Sequence, residues 1–172
     1  MALNTFEKDN IRFMKAAILR AKTAAKHGET PVGCVIVKDG QIISSGRNKR
    51  ENGKNALYHA EIQAIDKACK KLGGWRLHEC DLYVTLEPCA MCAGAIINAR
   101  IKNVYFGASD TKAGSFGSVI NLADLPYNHK PVIHSGLLSE ECSYLLSDFF
   151  KQLRCHKQMN KSSSEIKALP EQ

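Results

Sequence analysis

A chain of 172 residues, 44% hydrophobic and 24% charged, fits one globular domain with a buried core. It has no apolar run near the ~18–20 residues that span a bilayer and no basic-then-apolar start in MALNTFEKDNIRFMK, so a cytoplasmic protein is expected, in which seven cysteines, an odd number, do not read as a disulfide framework. The net charge of +7 sits at the ends, +4 in residues 1–27 and +3 in residues 151–172, which two solvated amphipathic helices explain more simply than a basic rim for a polyanion does.

Residues 4–27 are expected to be helical. Ile11, Met14, Ile18, Ala21 and Ala25 recur at spacings of three and four, Asn4 and Glu7 make a capping-box start, and Gly28 can end the helix. VGCVIV (32–37) and IISSG (42–46) are β-prone runs joined around Asp39-Gly40, a hairpin signal. The polar stretch RNKRENGKNALY (47–58) reads as a loop. HAEIQAIDKACKKL (59–72) reads as a helix closed by Gly73-Gly74, DLYVTL (81–86) as a buried strand, CAMCAGAIINAR (89–100) as a helix and NVYFGA (103–108) as a strand. Residues 110–122 are rich in Gly and Ser and form a loop leading to a short helix; PVIHSG (131–136) is a short last strand. Ser139 is placed to cap a final helix, with Glu140 and Glu141 in its first turn and Cys142, Leu145, Phe149 and Leu153 as its apolar stripe. From about Met159 the chain is small and polar. A single domain over 1–158 and a disordered basic tail over 159–172 are expected. The order of elements argues an α/β fold with helices on both faces of one sheet.

Chemistry concentrates at two helix starts, HAE (59–61) and PCAMC (88–92), which can meet at one edge of the sheet. Residues three apart on a helix lie about 60° apart around its axis, so Cys89 and Cys92 point the same way. The positive end of the helix dipole favours thiolate there, and Pro88 suits a helix start. Two thiolates and the imidazole of His59 select zinc, and three protein ligands leave a fourth position for water, which zinc can ionise near neutral pH. Glu61 leaves the helix in another direction and can overlook that water as a proton carrier. Two other readings use the same cysteines. A redox pair would need a thioredoxin-like pattern, and none surrounds Cys89; a structural zinc would need a fourth ligand, for which Cys34, Cys80 and His78 are available. Cys69, Cys142 and Cys155 fall on helix faces as packing residues, and His27, His129, His134 and His156 have no partner motif.

H-x-E followed by P-C-x-x-C resembles the signature of zinc-dependent nucleoside and nucleobase deaminases. TPVGCVIVKDGQIISSGRN, YHAEIQAI, LYVTLEPCAMCAGAIINARI, VYFGASDTKAGSFGS, YNHK and LLSDFF resemble, more narrowly, the bacterial tRNA adenosine deaminases that act on the wobble adenosine of an anticodon, over roughly residues 6–154. The resemblance implies a three-layer α/β/α fold of the cytidine-deaminase kind, around a mixed sheet of about five strands. It implies one zinc per subunit on His59, Cys89 and Cys92, with Glu61 as proton shuttle. Asn48 would contact the target nucleoside, Ala60 would offer a backbone group to the base, and Val32 and Leu86 would wall the pocket. Asp110, Lys112 and Asn128 would hold the flanking anticodon loop, and Phe149 and Phe150 would border the RNA groove; Ser109 stands where relatives often carry a charge.

The implied reaction is hydrolytic. An adenosine flipped out of the loop is attacked at C6 by zinc-bound hydroxide, ammonia leaves and inosine remains. The implied partners are a tRNA anticodon stem-loop and a second copy of the chain, with no membrane. Arg47, Lys49, Arg50 and Lys54, against Glu51 alone, put a net +3 on the loop beside the expected pocket, which now favours the polyanion reading of the charge. A deaminase of free guanine or cytosine would use the same four residues, and a zinc-stabilised RNA-binding module would need no Glu61.

Overall fold

A computed structural model describes residues 4–167. The elements are α1 (Thr5–Lys26), β1 (Gly33–Lys38), β2 (Gln41–Arg47), α2 (Arg50–Gly53), α3 (Ala60–Leu72), β3 (Cys80–Leu86), α4 (Ala90–Asn98), β4 (Asn103–Ala108), a 3-10 turn at Leu122–Asp124, β5 (Val132–Ser135) and α5 (Ser139–Lys167). None of the described helices is long and apolar enough to cross a membrane, and all seven cysteines are free.

The strands form one sheet in the order β2-β1-β3-β4-β5. β1 pairs antiparallel with β2 and β3, while β4 runs parallel to β3 and to β5. The sheet is therefore mixed. The hairpin turn carries Asp39 and Gly40 at positive φ, as a two-residue turn between twisted strands requires. β1 is an interior strand covered on both faces, which explains its near-continuous apolar run. One face packs Ala60, Ala64 and Ala68 of α3 and Ala93 and Ile96 of α4 over Ile36, Leu82, Val84 and Val104. The other packs Phe13, Met14, Ala17 and Ile18 of α1 and Cys142 of α5 over Val35, Val37, Tyr83 and Tyr105. This is the expected three-layer α/β/α arrangement with five strands.

Small residues on α3 let it lie close on the sheet. A Cβ at Gly46 would collide with the carbonyl oxygen of Ala60, in the first turn of α3. Gly46→Ala must push α3 off the sheet, and overpacking of this kind costs about 1–3 kcal/mol. Urea denaturation is expected to show that loss with the slope unchanged.

On the α1 face an aromatic stack crosses three strands. Tyr83 and Tyr105 stack at 4.5 Å, Tyr105 and His134 at 4.3 Å, and Tyr83 donates its hydroxyl to Asn10 Oδ1 at 2.7 Å.

Three local expectations are corrected. The 47–58 segment is not all loop. Arg50–Gly53 makes one helical turn, because the buried carboxylate of Glu29 accepts from the Glu51 and Asn52 amides at 3.3 and 2.8 Å and supplies the acceptors those amides lack. Ser139 is the first residue of α5 rather than its cap; Leu138 precedes it at φ +54°. Cys155 is exposed, not packed. The tail expected over 159–172 overlaps α5, which runs to Lys167, and its last five residues lie outside the described ones.

Candidate metal centre and active site

The site lies at one edge of the sheet, where β2, β3 and β4 end and β1 begins. In sheets of this class, ligand sites form outside the carboxyl ends of parallel strands. A cavity of about 200 Å³ opens there, lined by Val32, Asn48, Arg50, His59, Glu61, Leu86, Glu87, Cys89, Asp110 and Ala113 among others.

His59 and Cys89 occupy equivalent places, each the N-cap of its helix, α3 or α4, in extended backbone. Neither side chain caps its own helix, so both are free to turn toward each other. Pro88 stands before the cap. Cys92, one turn into α4, is fully buried and completes the triangle. His59 Nδ1 lies 3.7 Å from Cys89 Sγ and 3.5 Å from Cys92 Sγ, and all three donor atoms fall within 4.8 Å of one another.

A tetrahedral zinc with Zn–S near 2.3 Å and Zn–N near 2.0–2.1 Å has N···S edges of about 3.6 Å, so the donor set fits zinc in type and spacing. Cys34, Cys80 and His78, the alternatives for a fourth ligand, do not join the cluster among the described residues. The site is open. The thiol of Cys89 is pulled down to about 4, first by its contact with Cys92 and then by His59, whereas the same contact and burial push Cys92 well up. Contact with Cys89 raises the imidazole of His59.

Glu61, two residues along α3, is 3% exposed and lines the cavity. Burial pushes its carboxyl above the usual range. Among the described residues only two buried side-chain polar atoms lack a hydrogen-bond partner, Glu61 Oε2 and Arg47 Nη1. A buried unpaired carboxylate oxygen is costly to keep, which sets Glu61 apart from the other residues that line the cavity.

Asn48 is also buried, and its Oδ1 accepts from Ala60 N–H at 3.2 Å. That contact engages the Ala60 N–H and leaves the Asn48 amide nitrogen to donate into the cavity. Val32 and Leu86 line it as expected. Asp110 reaches the wall, but its Oδ1 accepts from the Lys112 and Ala113 amides at 2.9 and 3.2 Å and so holds its own turn. Lys112 lies in an adjoining cleft with Leu86, Asp110 and Phe150.

Phe149 lines a groove between α1 and α5 beside Lys22 and Lys26, and Phe150 lines the cleft that holds Lys112. Asn128 sits outside the cavity and accepts from Arg100 Nη1 at 2.7 Å. Sequence reasoning missed Glu29 and Glu87. Both are buried carboxylates that bond to backbone amides of distant loops, and only their placement beside the motifs, in GETPVG and LEPC, hinted at them.

An open three-donor site with a buried acid beside it is what a zinc-dependent deaminase requires, and comparison with known proteins agrees. Residues 7–108 match the family model of the cytidine and deoxycytidylate deaminase zinc-binding region. The chain is 49% identical over 143 residues to the tRNA-specific adenosine deaminase of Bacillus subtilis (strain 168), covering 83% of this chain and 89% of that one. It is 47% identical over 142 residues to the tRNA-specific adenosine deaminase of Aquifex aeolicus (strain VF5), covering 83% and 94%. A solved structure from studies of A-to-I editing by tRNA:A34 deaminases matches with a TM-score of 0.77 at 42% identity, over 78% of this chain and 99% of that one. The guanine deaminase of Bacillus subtilis matches with a TM-score of 0.56 at 33% identity, over 73% and 88%. The chain belongs to the zinc-dependent cytidine and deoxycytidylate deaminase family, on the branch of the tRNA-specific adenosine deaminases.

Proposed function

We propose that this protein hydrolytically deaminates adenosine to inosine at the wobble position of a tRNA anticodon, with the anticodon stem-loop as substrate, one zinc per subunit and a homodimeric assembly in the cytoplasm. The unpartnered carboxylate oxygen of Glu61, buried beside an open three-donor cluster in a cavity sized for one flipped-out nucleoside, carries the chemistry. The relatives at 44–49% identity support the substrate.

Zinc held by His59, Cys89 and Cys92 supplies a Lewis acid that acidifies water at neutral pH. Every other step belongs to the chain. Glu61 accepts one water proton and passes it to N1 of the adenine as the water oxygen bonds to C6; it then takes the second proton from that oxygen and delivers it to the C6 amine. The C6–N bond breaks, ammonia departs and a carbonyl is left at C6. Asn48 directs its amide nitrogen at the nucleoside, and Val32 and Leu86 keep bulk water from the ring. Arg50 at the cavity and Lys112 in the cleft suit the phosphates of the flanking nucleotides. Leu57, Val119, Ile120 and Tyr127 are exposed apolar side chains that a second subunit would cover.

The test incubates the protein with an anticodon stem-loop and, separately, with guanine, cytosine and adenosine, reading inosine and ammonia; sedimentation of the same sample reads the dimer. Inosine in the stem-loop is expected. The similarity to a guanine deaminase sustains a second reading, a free-base deaminase, and turnover of a free base beside an inert stem-loop would establish it instead.

Asn48→Asp keeps the acceptor for Ala60 N–H and removes the donor into the cavity. Losing a hydrogen bond of this kind is expected to lower kcat/KM about tenfold or more with zinc content unchanged. Steady-state kinetics equal to wild type would remove Asn48 from the substrate.

A further inference from the structure

No step above uses Glu87, yet its carboxylate is 2% exposed, two residues before Cys89. It occupies the link between the end of β3 and Cys89, with its own amide bonded to Ala108 O at 2.8 Å. Oε1 accepts from the Phe116 and Ser118 amides, each at 3.0 Å. Oε2 accepts from the Asp110 amide at 3.0 Å and from the Ser118 hydroxyl. One side chain therefore gathers both ends of the 110–118 loop.

A second observation ties the same loop to the same place. Ser115 N–H donates to Pro88 O at 2.9 Å, and Gly114 makes a β-bridge with Cys89. Gly114 lies flat against the carboxylate, where any Cβ would collide with Glu87 Cδ and Oε2. The loop supplies Asp110 and Ala113 to the wall of the cavity that His59 also lines.

We propose that Glu87 is a positioning residue whose carboxylate holds the 110–118 loop against the ligand-bearing start of α4, and so fixes the pocket wall that meets the nucleoside. The chemistry demands an acid. Four donors converge on two oxygens, three of them backbone N–H groups that cannot turn round. A carboxylate is acceptor-only and satisfies all four, while glutamine presents an NH2 to two of them. Placed at Oε1, that NH2 faces the Phe116 and Ser118 amides. Placed at Oε2, it faces the Ser118 hydroxyl, which can rotate to accept, and the Asp110 amide, which cannot. Either way an amide of the wall segment is left unpaired.

The proposal rests on the proposed function only where RNA kinetics are read, so the test has an arm that does not. Glu87→Gln and Gly114→Ala are compared with wild type by backbone amide exchange, zinc content and stem-loop kinetics. The Asp110 amide or the Phe116 and Ser118 amides are expected to exchange about tenfold faster or more in Glu87→Gln, at full zinc occupancy. Gly114→Ala, which displaces the carboxylate without removing it, is expected to show the same pattern. KM for the stem-loop should rise about tenfold in both, with kcat changed less than KM. Unchanged exchange at these amides overturns the proposal whatever the substrate proves to be. So does loss of zinc in both variants, which would make Glu87 a support of the metal rather than of the wall. If wild type leaves the stem-loop inert, the proposed function fails and the exchange and zinc arms still decide the role of Glu87.

Discussion

Replacing Glu61 with glutamine is expected to lower deamination about 10²–10⁴-fold while zinc and RNA binding stay at the wild-type level. The reasoning is local. Glutamine has the shape of glutamate but cannot accept a proton from water and hand it on, and Glu61 is the acid whose Oε2 is left without a partner beside the donor triangle. The fold should tolerate the change, because glutamine keeps the shape of the side chain and buries a neutral group where burial already disfavours the charged one. Metal analysis, filter binding and single-turnover kinetics on one preparation separate the possibilities. A zinc-stabilised RNA-binding module predicts no effect on any of them, whereas loss of zinc would mean that Glu61 supports the metal rather than the proton.

Cys89→Ala is expected to lose both zinc and activity. Removing one corner leaves His59 and Cys92, too few protein ligands for a tight tetrahedral site. The N-cap position makes the effect clean. Cys89 does not cap α4 with its side chain, so alanine there forfeits no helix cap and the stability lost is that of the metal. A bound ion present at about a thousand times its Kd contributes about 4 kcal/mol, or about 8–16 °C in Tm for a domain of this size. Wild type and variant should differ by that amount with zinc and converge in chelator. Full zinc occupancy in the variant would refute the ligand role.

Much of this architecture is legible because local patterns carry it. Spacings of three and four over Ile11–Ala25 marked α1, Asp39-Gly40 marked the hairpin, and C-x-x-C after proline with H-x-E marked the metal site. What stayed hidden depends on contacts between segments far apart in the chain. Glu29 and Glu87 hold loops 22 to 31 residues away through backbone amides, which leave no trace in side-chain pattern. Phe149 and Phe150 are neighbours on one helix, and only the roll of α5 against α1 decides which meets the cleft. The bond from Ala60 N–H to Asn48 Oδ1 likewise joins segments twelve residues apart and leaves no mark in the side-chain pattern.

The stack of Tyr83, Tyr105 and His134 lies on the face away from the metal, yet it acts as a vernier for the site. These rings meet only because Tyr83 pairs with Tyr105 and Tyr105 with His134, the same alignment that sets Leu86 opposite Ala108. Sliding β3 by one residue would turn Tyr83 into the opposite layer and carry the chain leading to Cys89 about 3.3 Å along, more than the length of a zinc–sulfur bond. Misaligned chains therefore lose the stack and the metal together. Substitutions in these rings are expected to lower the zinc content of refolded protein, although the rings lie in the layer opposite α3 and α4.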